Sequence, residues 1–394
     1  MDKTTSELFV SSESISNALP AVAADANYWL IRTAGGRYFT DFSVNNFVGI
    51  DWNKLSLKEL TELSTKKEML IQKLKELYPY KEEPSTDLEG DTTKIEIKER
   101  TYTSWANQIL RFFHEVKAGD VVLIPDNSSR NFRVGYIVSN IFEEPDSSSV
   151  FKDPSEYEKS RYIKRYSTRW FGTFLRDDAD PAIYKMTNTH HVITNINAYK
   201  PFINRVLFDA YREGNIGHYT FKVNQESDIN AVSYTKYTSS IVEMIDLIEP
   251  DPDMKLKTNV QSHGIVEIIA GVASLAAVSG LLYLVFSKKE KLSMTLKSQL
   301  FSFTIKKSSK NIELSEISIA DRQMTVEEAK AQSAEEKTKI ENVERALEVA
   351  KKLREASEQL DGEAPESIMS MVSKMTKTNF ESNDDFDDED VDSE

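Results

Sequence analysis

Apolar residues recur along this chain with two periods, and the switches between them predict its elements. Tyr28-Trp29-Leu30-Ile31 is a short apolar run closed by a Gly35-Gly36 turn, the pattern of a buried strand. A segment rich in Phe, Asn and Val follows and ends on Gly49-Ile50-Asp51-Trp52. Over 54–79, Leu and Met return at helical spacing, and Ser56 with Glu59 three residues on offers a capping box. The charged stretch 80–98, with Pro84, predicts a loop. Residues 105–116 read as a helix, Gly119-Asp120 as a turn, and 121–125 and 133–138 as strands. Farther on, 205–211 reads as a short helix, 218–223 alternates as a strand does, and 228–248 repeats apolar positions at helical spacing. Asp251-Pro252-Asp253 marks a linker.

One stretch has no polar phase. Residues 268–286 are uncharged, and as a helix they span ~28 Å, close to the ~30 Å hydrocarbon core of a bilayer. Small residues at four-residue spacing (Ala270/Ser274, Ala273/Ala277, Ala276/Gly280) suit close helix approach in lipid. The sequence therefore predicts a transmembrane helix over 265–287 and homo-oligomers through its small-residue faces; a buried core helix is the alternative. Lys288, Lys289 and Lys291 outweigh Lys255 and Lys257, which draws the C-terminal side inward. No export signal precedes the first domain, so the expectation is a cytoplasmic N-terminal region anchored in the inner membrane. Beyond this segment, 301–305 and 312–314 read as strands. Thr325 and Glu328 form a second capping box, opening a charged helix with Ile340, Val343, Leu347, Ala350 and Leu353 along one face. Such a helix lies on a domain more often than it pairs as a coiled coil.

A chain of 394 residues allows two modest domains with extensions. Its formal charge of −15 argues against nucleic-acid binding over the whole surface, but the charge is unevenly placed. Residues 381–394 hold nine acidic residues and no basic one, a composition that predicts a disordered tail. By contrast, Lys159, Arg161, Lys164, Arg165, Arg169 and Arg176 interleave with Tyr162, Tyr166, Trp170 and Phe171. The absence of cysteine excludes disulfides and thiolate chemistry.

The order of strand, Gly-Gly turn, helix, Gly-Asp turn and paired strands over about 26–175 resembles the EVE/PUA-like small barrel at the N-terminus of many Mrr-type restriction proteins. Such domains bind nucleic acid or modified bases and carry no catalytic site. The resemblance implies a base pocket with Asn46, Trp105, Asn107 and Trp170 as candidates, and Arg32, Arg165 and Arg169 as phosphate or edge contacts. Arg32 has a second reading, pairing with Asp41 or Asp51. The expected fold class is α+β. A flexible lead-in (1–25) precedes a PUA/EVE-like small β-barrel (26–200) and a small α/β unit (201–252). The single apolar transmembrane helix (265–287), a strand pair with the charged helix (295–362) and a disordered acidic tail (363–394) follow.

Catalytic motifs are missing. The Mrr-type nuclease pattern finds its nearest match in Asp91 with Glu96-Ile97-Lys98, inside a charged run with no apolar strand to hold it. His114, His190, His191, His218 and His263 show no ligand spacing, and neither a G-x-S-x-G nor a Walker A sequence occurs. No metal, cofactor or catalytic residue is expected. The chain reads as a non-catalytic sensor of bacterial anti-phage defence, binding modified DNA or a nucleotide-like ligand and acting through the membrane helix. A soluble adaptor, or a nuclease with an unrecognised site, is the alternative.

Overall fold

The computed structural model describes residues 7–84, 92–144, 157–259, 264–289, 291–297, 301–308, 311–319, 322–324, 326 and 334–381. Asp91, His263, Thr325 and the acidic residues beyond 381 lie outside them. The chain forms two compact units: Asp25–Leu207, and a second built from Met1–Ala24 together with Phe208–Glu394. The first 25 residues, expected as a loose lead-in, hold β1 (Glu7–Ser11), α1 (Ser12–Ala18) and β2 (Ala21–Val22), all part of the second unit.

Asp25–Leu207 is built on a seven-stranded sheet. Its strands are β3 (Tyr28–Ile31), β4 (Phe47–Ile50), β7 (Val121–Pro125), β8 (Asn131–Ile137), β9 (Phe142–Glu143), β10 (Lys164–Leu175) and β11 (Ile193–Asn195). They pair in the order β11-β3-β7-β8-β10-β4, with β9 also on β10 and only β3-β7 parallel. β3 and β7 are apolar throughout because both faces are covered. Trp29, Ile31, Val122 and Ile124 face one core; Tyr28, Leu30, Val121 and Leu123 face the other. The first core is closed by α2 (Phe39–Val44), α3 (Leu57–Leu63), α4 (Lys67–Leu77) and α5 (Glu99–His114), the second by α6 (Ile183–Met186) and α7 (Lys200–Leu207). The capping box expected at Ser56 is present, its hydroxyl accepting from Glu59 N. Residues 80–98, expected as a loop, include a hairpin of β5 (Tyr80–Pro84) and β6 (Thr92–Glu96). Asp120 ties the Gly119 turn to β3 by accepting from Trp29 Nε1 at 2.8 Å and from Asn27 N at 3.0 Å.

The second unit has one core between two sheets. One sheet is β14 (Lys255–Asn259), β15 (Gly264–Gly271), β13 (Ile216–Val223), β12 (Ala210–Glu213) and β2, with β20 (Gly362–Glu363) on β13. The other is β1, β16 (Lys291–Lys297), β17 (Phe301–Ser308), β18 (Asn311–Ile319) and β19 (Arg322–Met324). Among the described residues five helices share that core: α1, α8 (Ala231–Ile248), α9 (Val272–Phe286), α10 (Ala334–Leu360) and α11 (Glu366–Glu381). The charged helix α10 lies against α8, burying Ile340, Val343, Leu347, Ala350 and Leu353.

The transmembrane expectation is overturned here. The fold is mixed α+β, and no helix among the described residues is long and apolar enough to cross a membrane. Residues 268–271 belong to β15, which leaves α9 fifteen residues, ~22 Å of helix against a ~30 Å bilayer core. A helix apolar on every side fits a protein core as well as lipid. Here the small residues admit neighbouring side chains: a Cβ on Gly280 would collide with Leu296, and Ser279 Oγ lies 2.8 Å from the buried Tyr219 hydroxyl.

Candidate functional site

The turn between α2 and β4 passes through Asn46, whose φ of +55° places it in the left-handed region that Asn tolerates. Its carbonyl accepts from Thr168 N at 2.8 Å, fixing the turn against β10. Its carboxamide is exposed, with no hydrogen-bond partner among the described residues. Beside it, β4 and β10 pair with Phe47 opposite Ser167, and β9 brings Phe142 opposite Arg165. These residues border a cleft of about 350 Å³, together with Asp41, Asn45, Glu144, Lys159 and Ser160.

The polar groups of the cleft are held in place. Asp41, buried between Phe39 and Phe42 of α2, accepts from Asn45 Nδ2 and from Ser160 N, each at 2.7 Å. Arg165 donates from Nε to Tyr162 O (2.6 Å) and from Nη2 to Ser160 O (3.2 Å), and its guanidinium carbon lies 4.0 Å from the Phe47 ring centroid. Burial pulls its pKa below the ordinary arginine value, while Glu144 and Asp41 act in the opposite sense. An arginine stays charged through such a shift. Two carboxylates (Asp41, Glu144) therefore balance two cations (Lys159, Arg165) around the cleft.

Of the seven sequence candidates, Asn46 and Arg165 line this cleft. Arg169 sits farther along β10, exposed, with its guanidinium 5.9 Å from the Tyr136 ring. The other four are elsewhere. Trp105 packs edge-on against Trp52, Tyr78 and Tyr102 at 5.5–6.1 Å, an aromatic cluster on the core. Asn107 is exposed on α5, whose buried face is Tyr102, Ala106, Ile109 and Phe112. Trp170 donates Nε1–H to Phe42 O at 3.1 Å. Arg32 gives Nη2 hydrogens to Thr187 O and Thr189 O, both at 2.6 Å, rather than pairing with Asp41 or Asp51. Asp41, Asn45, Phe142, Glu144 and Ser160 are cleft residues that sequence reasoning does not assign to a pocket, and Lys159 enters it only as part of the basic cluster. Only Asp41 carries a local signal, an acid set between two phenylalanines of one short helix.

Of the nuclease-like pattern, Glu96 is exposed on the β5–β6 hairpin and Lys98 is exposed just after it, while Asp91 lies outside the described residues. Among the described residues no group of three or more His, Asp or Glu could hold a metal ion. Comparison with family models, with curated proteins and with solved structures finds no match to this chain.

Proposed function

We propose that this protein is a non-catalytic reader whose Asp25–Leu207 unit takes one base-like group of a modified DNA, or of a nucleotide-like ligand, into the cleft beside Asn46. The observation that carries this reading is the cleft's donor and acceptor set. An exposed carboxamide, a guanidinium braced on Phe47 and a buried carboxylate meet around about 350 Å³. That volume is at the small end of ligand sites, enough for a nucleoside and little more. Charge balance in the lining favours a neutral group with a polar edge over a dianion. Taking a base out of its stack costs a few kcal/mol, which ring contact and edge hydrogen bonds offset.

Bulk charge does not oppose the reading. Asp25–Leu207 contains 26 basic and 26 acidic residues, so the whole excess of −15 belongs to the rest of the chain. The resemblance to restriction-linked readers supports a sensing role in anti-phage defence, with the second unit passing on the response.

The test is binding of the full chain to matched duplexes carrying plain, methylated or hydroxymethylated cytosine at fixed salt. Selective binding is expected, lost in Asn46→Gly, which keeps the left-handed backbone while removing the carboxamide, and in Arg165→Lys. Loss of one edge contact corresponds to roughly 1–3 kcal/mol of discrimination. Equal, salt-sensitive binding to all three duplexes, unchanged in the variants, would refute the reading.

A further inference from the structure

Along β10 the residues Lys164, Tyr166 and Thr168 are buried, while Arg165, Ser167 and Arg169 alternate with them on the opposite face. Arg165 and Ser167 line the cleft; Arg169 is the next outward position, ~6.6 Å farther along the strand at ~3.3 Å per residue. Val138, 49% exposed, lies beside Ser167 at the end of β8, its N–H bonding to Ser167 O at 2.9 Å. Arg169 is opposite Tyr136 in register, and Tyr136 is stacked on Phe171 at 4.4 Å. Its exposed guanidinium has no carboxylate within ion-pair distance among the described residues. An arginine of this kind, held beside an aromatic ring with its fork of donors uncommitted, suits a phosphate.

From this geometry we infer that the ligand is a nucleic-acid strand rather than a free nucleotide. One base occupies the cleft, and the outward face of β10 carries the adjoining backbone, with Arg169 on its phosphate. The inference rests on the cleft reading above and extends it. The charge-balanced cleft has no spare cation for a strand's backbone, and the unpaired cation one outward position away meets the phosphate of the neighbouring nucleotide, which a mononucleotide lacks. Val138, exposed beside Ser167, offers the sugar an apolar contact.

The experiment uses the full chain and two sets of probes: single-stranded DNA hexamers with cytosine, 5-methylcytosine or 5-hydroxymethylcytosine at the third position, and the three corresponding mononucleotides. The preferred hexamer is expected to bind about tenfold more tightly than its mononucleotide. Arg169→Ala is expected to remove that gain, to lower the salt slope by about 0.7 and to leave mononucleotide affinity unchanged. Arg169→Lys keeps the charge and restores the slope. Asn46→Gly weakens both probe sets. Hexamers bound no better than mononucleotides, or no worse by Arg169→Ala, would overturn the strand assignment and leave the cleft reading standing. A chain that binds neither set overturns both.

Discussion

Among the described residues two lysines are buried, each donating to a pair of backbone carbonyls. Lys164 reaches Trp52 O at 2.8 Å and Leu55 O at 2.9 Å; Lys307 reaches Leu284 O at 2.8 Å and Ser287 O at 2.7 Å, the C-terminal end of α9. Desolvation pulls each down to about 8, below the ordinary 10.5. Between about pH 8 and 10.5 the unfolded chain therefore holds protons that the folded chain has released, so stability rises with pH across that window. Burial acts oppositely on Tyr162, Tyr166, Tyr219 and Tyr237, whose pKa values are raised. Above pH 10 the unfolded chain ionises its tyrosines first, and stability falls again. Thermal unfolding at constant ionic strength is expected to give a Tm that climbs from pH 8 towards 10 and then drops. Lys164→Met is expected to flatten the climb and, by leaving two buried carbonyls without donors, to cost about 2 kcal/mol at pH 7. A Tm profile identical to wild type would show that Lys164 does not release its proton on folding. The residue also supports an unusual backbone, since Trp52 sits at φ +68° and its carbonyl is one of the two that Lys164 holds.

Elements governed by local period are legible in the sequence: β3, β7, β8 and α8 lie where the alternation and the helical spacing place them. β10 is harder to read, because one of its inward positions is Lys164, which breaks the apolar side of the pattern and leaves only a cluster of basic and aromatic residues. The cleft shares that difficulty. Asn46 and Arg165 are within reach of a sequence argument, but Ser160 and Phe142 join them through strand pairing and a backbone bond to Asp41, neither of which leaves a local trace. The apolar helix fails for a different reason. Hydropathy reports that α9 avoids water, not whether lipid or protein surrounds it. Its fit against β16 is specific, since the Cβ added by Gly280→Ala would strike Leu296, which is itself buried. That substitution is expected to destabilise by about 1–3 kcal/mol despite the better helix propensity of Ala. Leu296→Ala alone creates a void, and the double variant is expected to be more stable than the sum of the two single losses predicts, as measured by urea unfolding. Strict additivity would mean that the two positions do not share the contact.

The order of the chain makes the two units unequal. Asp25–Leu207 is continuous, whereas the other unit needs Met1–Ala24 from before it. β1 pairs in parallel with β16, β2 pairs with β12, and Val10, Ile15 and Leu19 enter the shared core. Three buried aliphatic side chains contribute roughly 1.5–3 kcal/mol each, a sum comparable to the ~5–15 kcal/mol that stabilises a typical domain. A chain of residues 208–394 alone is therefore expected to lose cooperative unfolding and to bind an apolar dye, and to recover both properties when a peptide of residues 1–24 is added. Residues 25–207 alone are expected to unfold in one cooperative urea transition and to keep the cleft's affinity for its base. If 208–394 unfolds with the same midpoint as it does in the full chain, the N-terminal strands and helix are ornaments on a core complete without them. If instead it requires 1–24, any event that displaces those residues loosens the core around α9 while Asp25–Leu207 stays folded. That gives the second unit a physical means of changing state independently of the cleft.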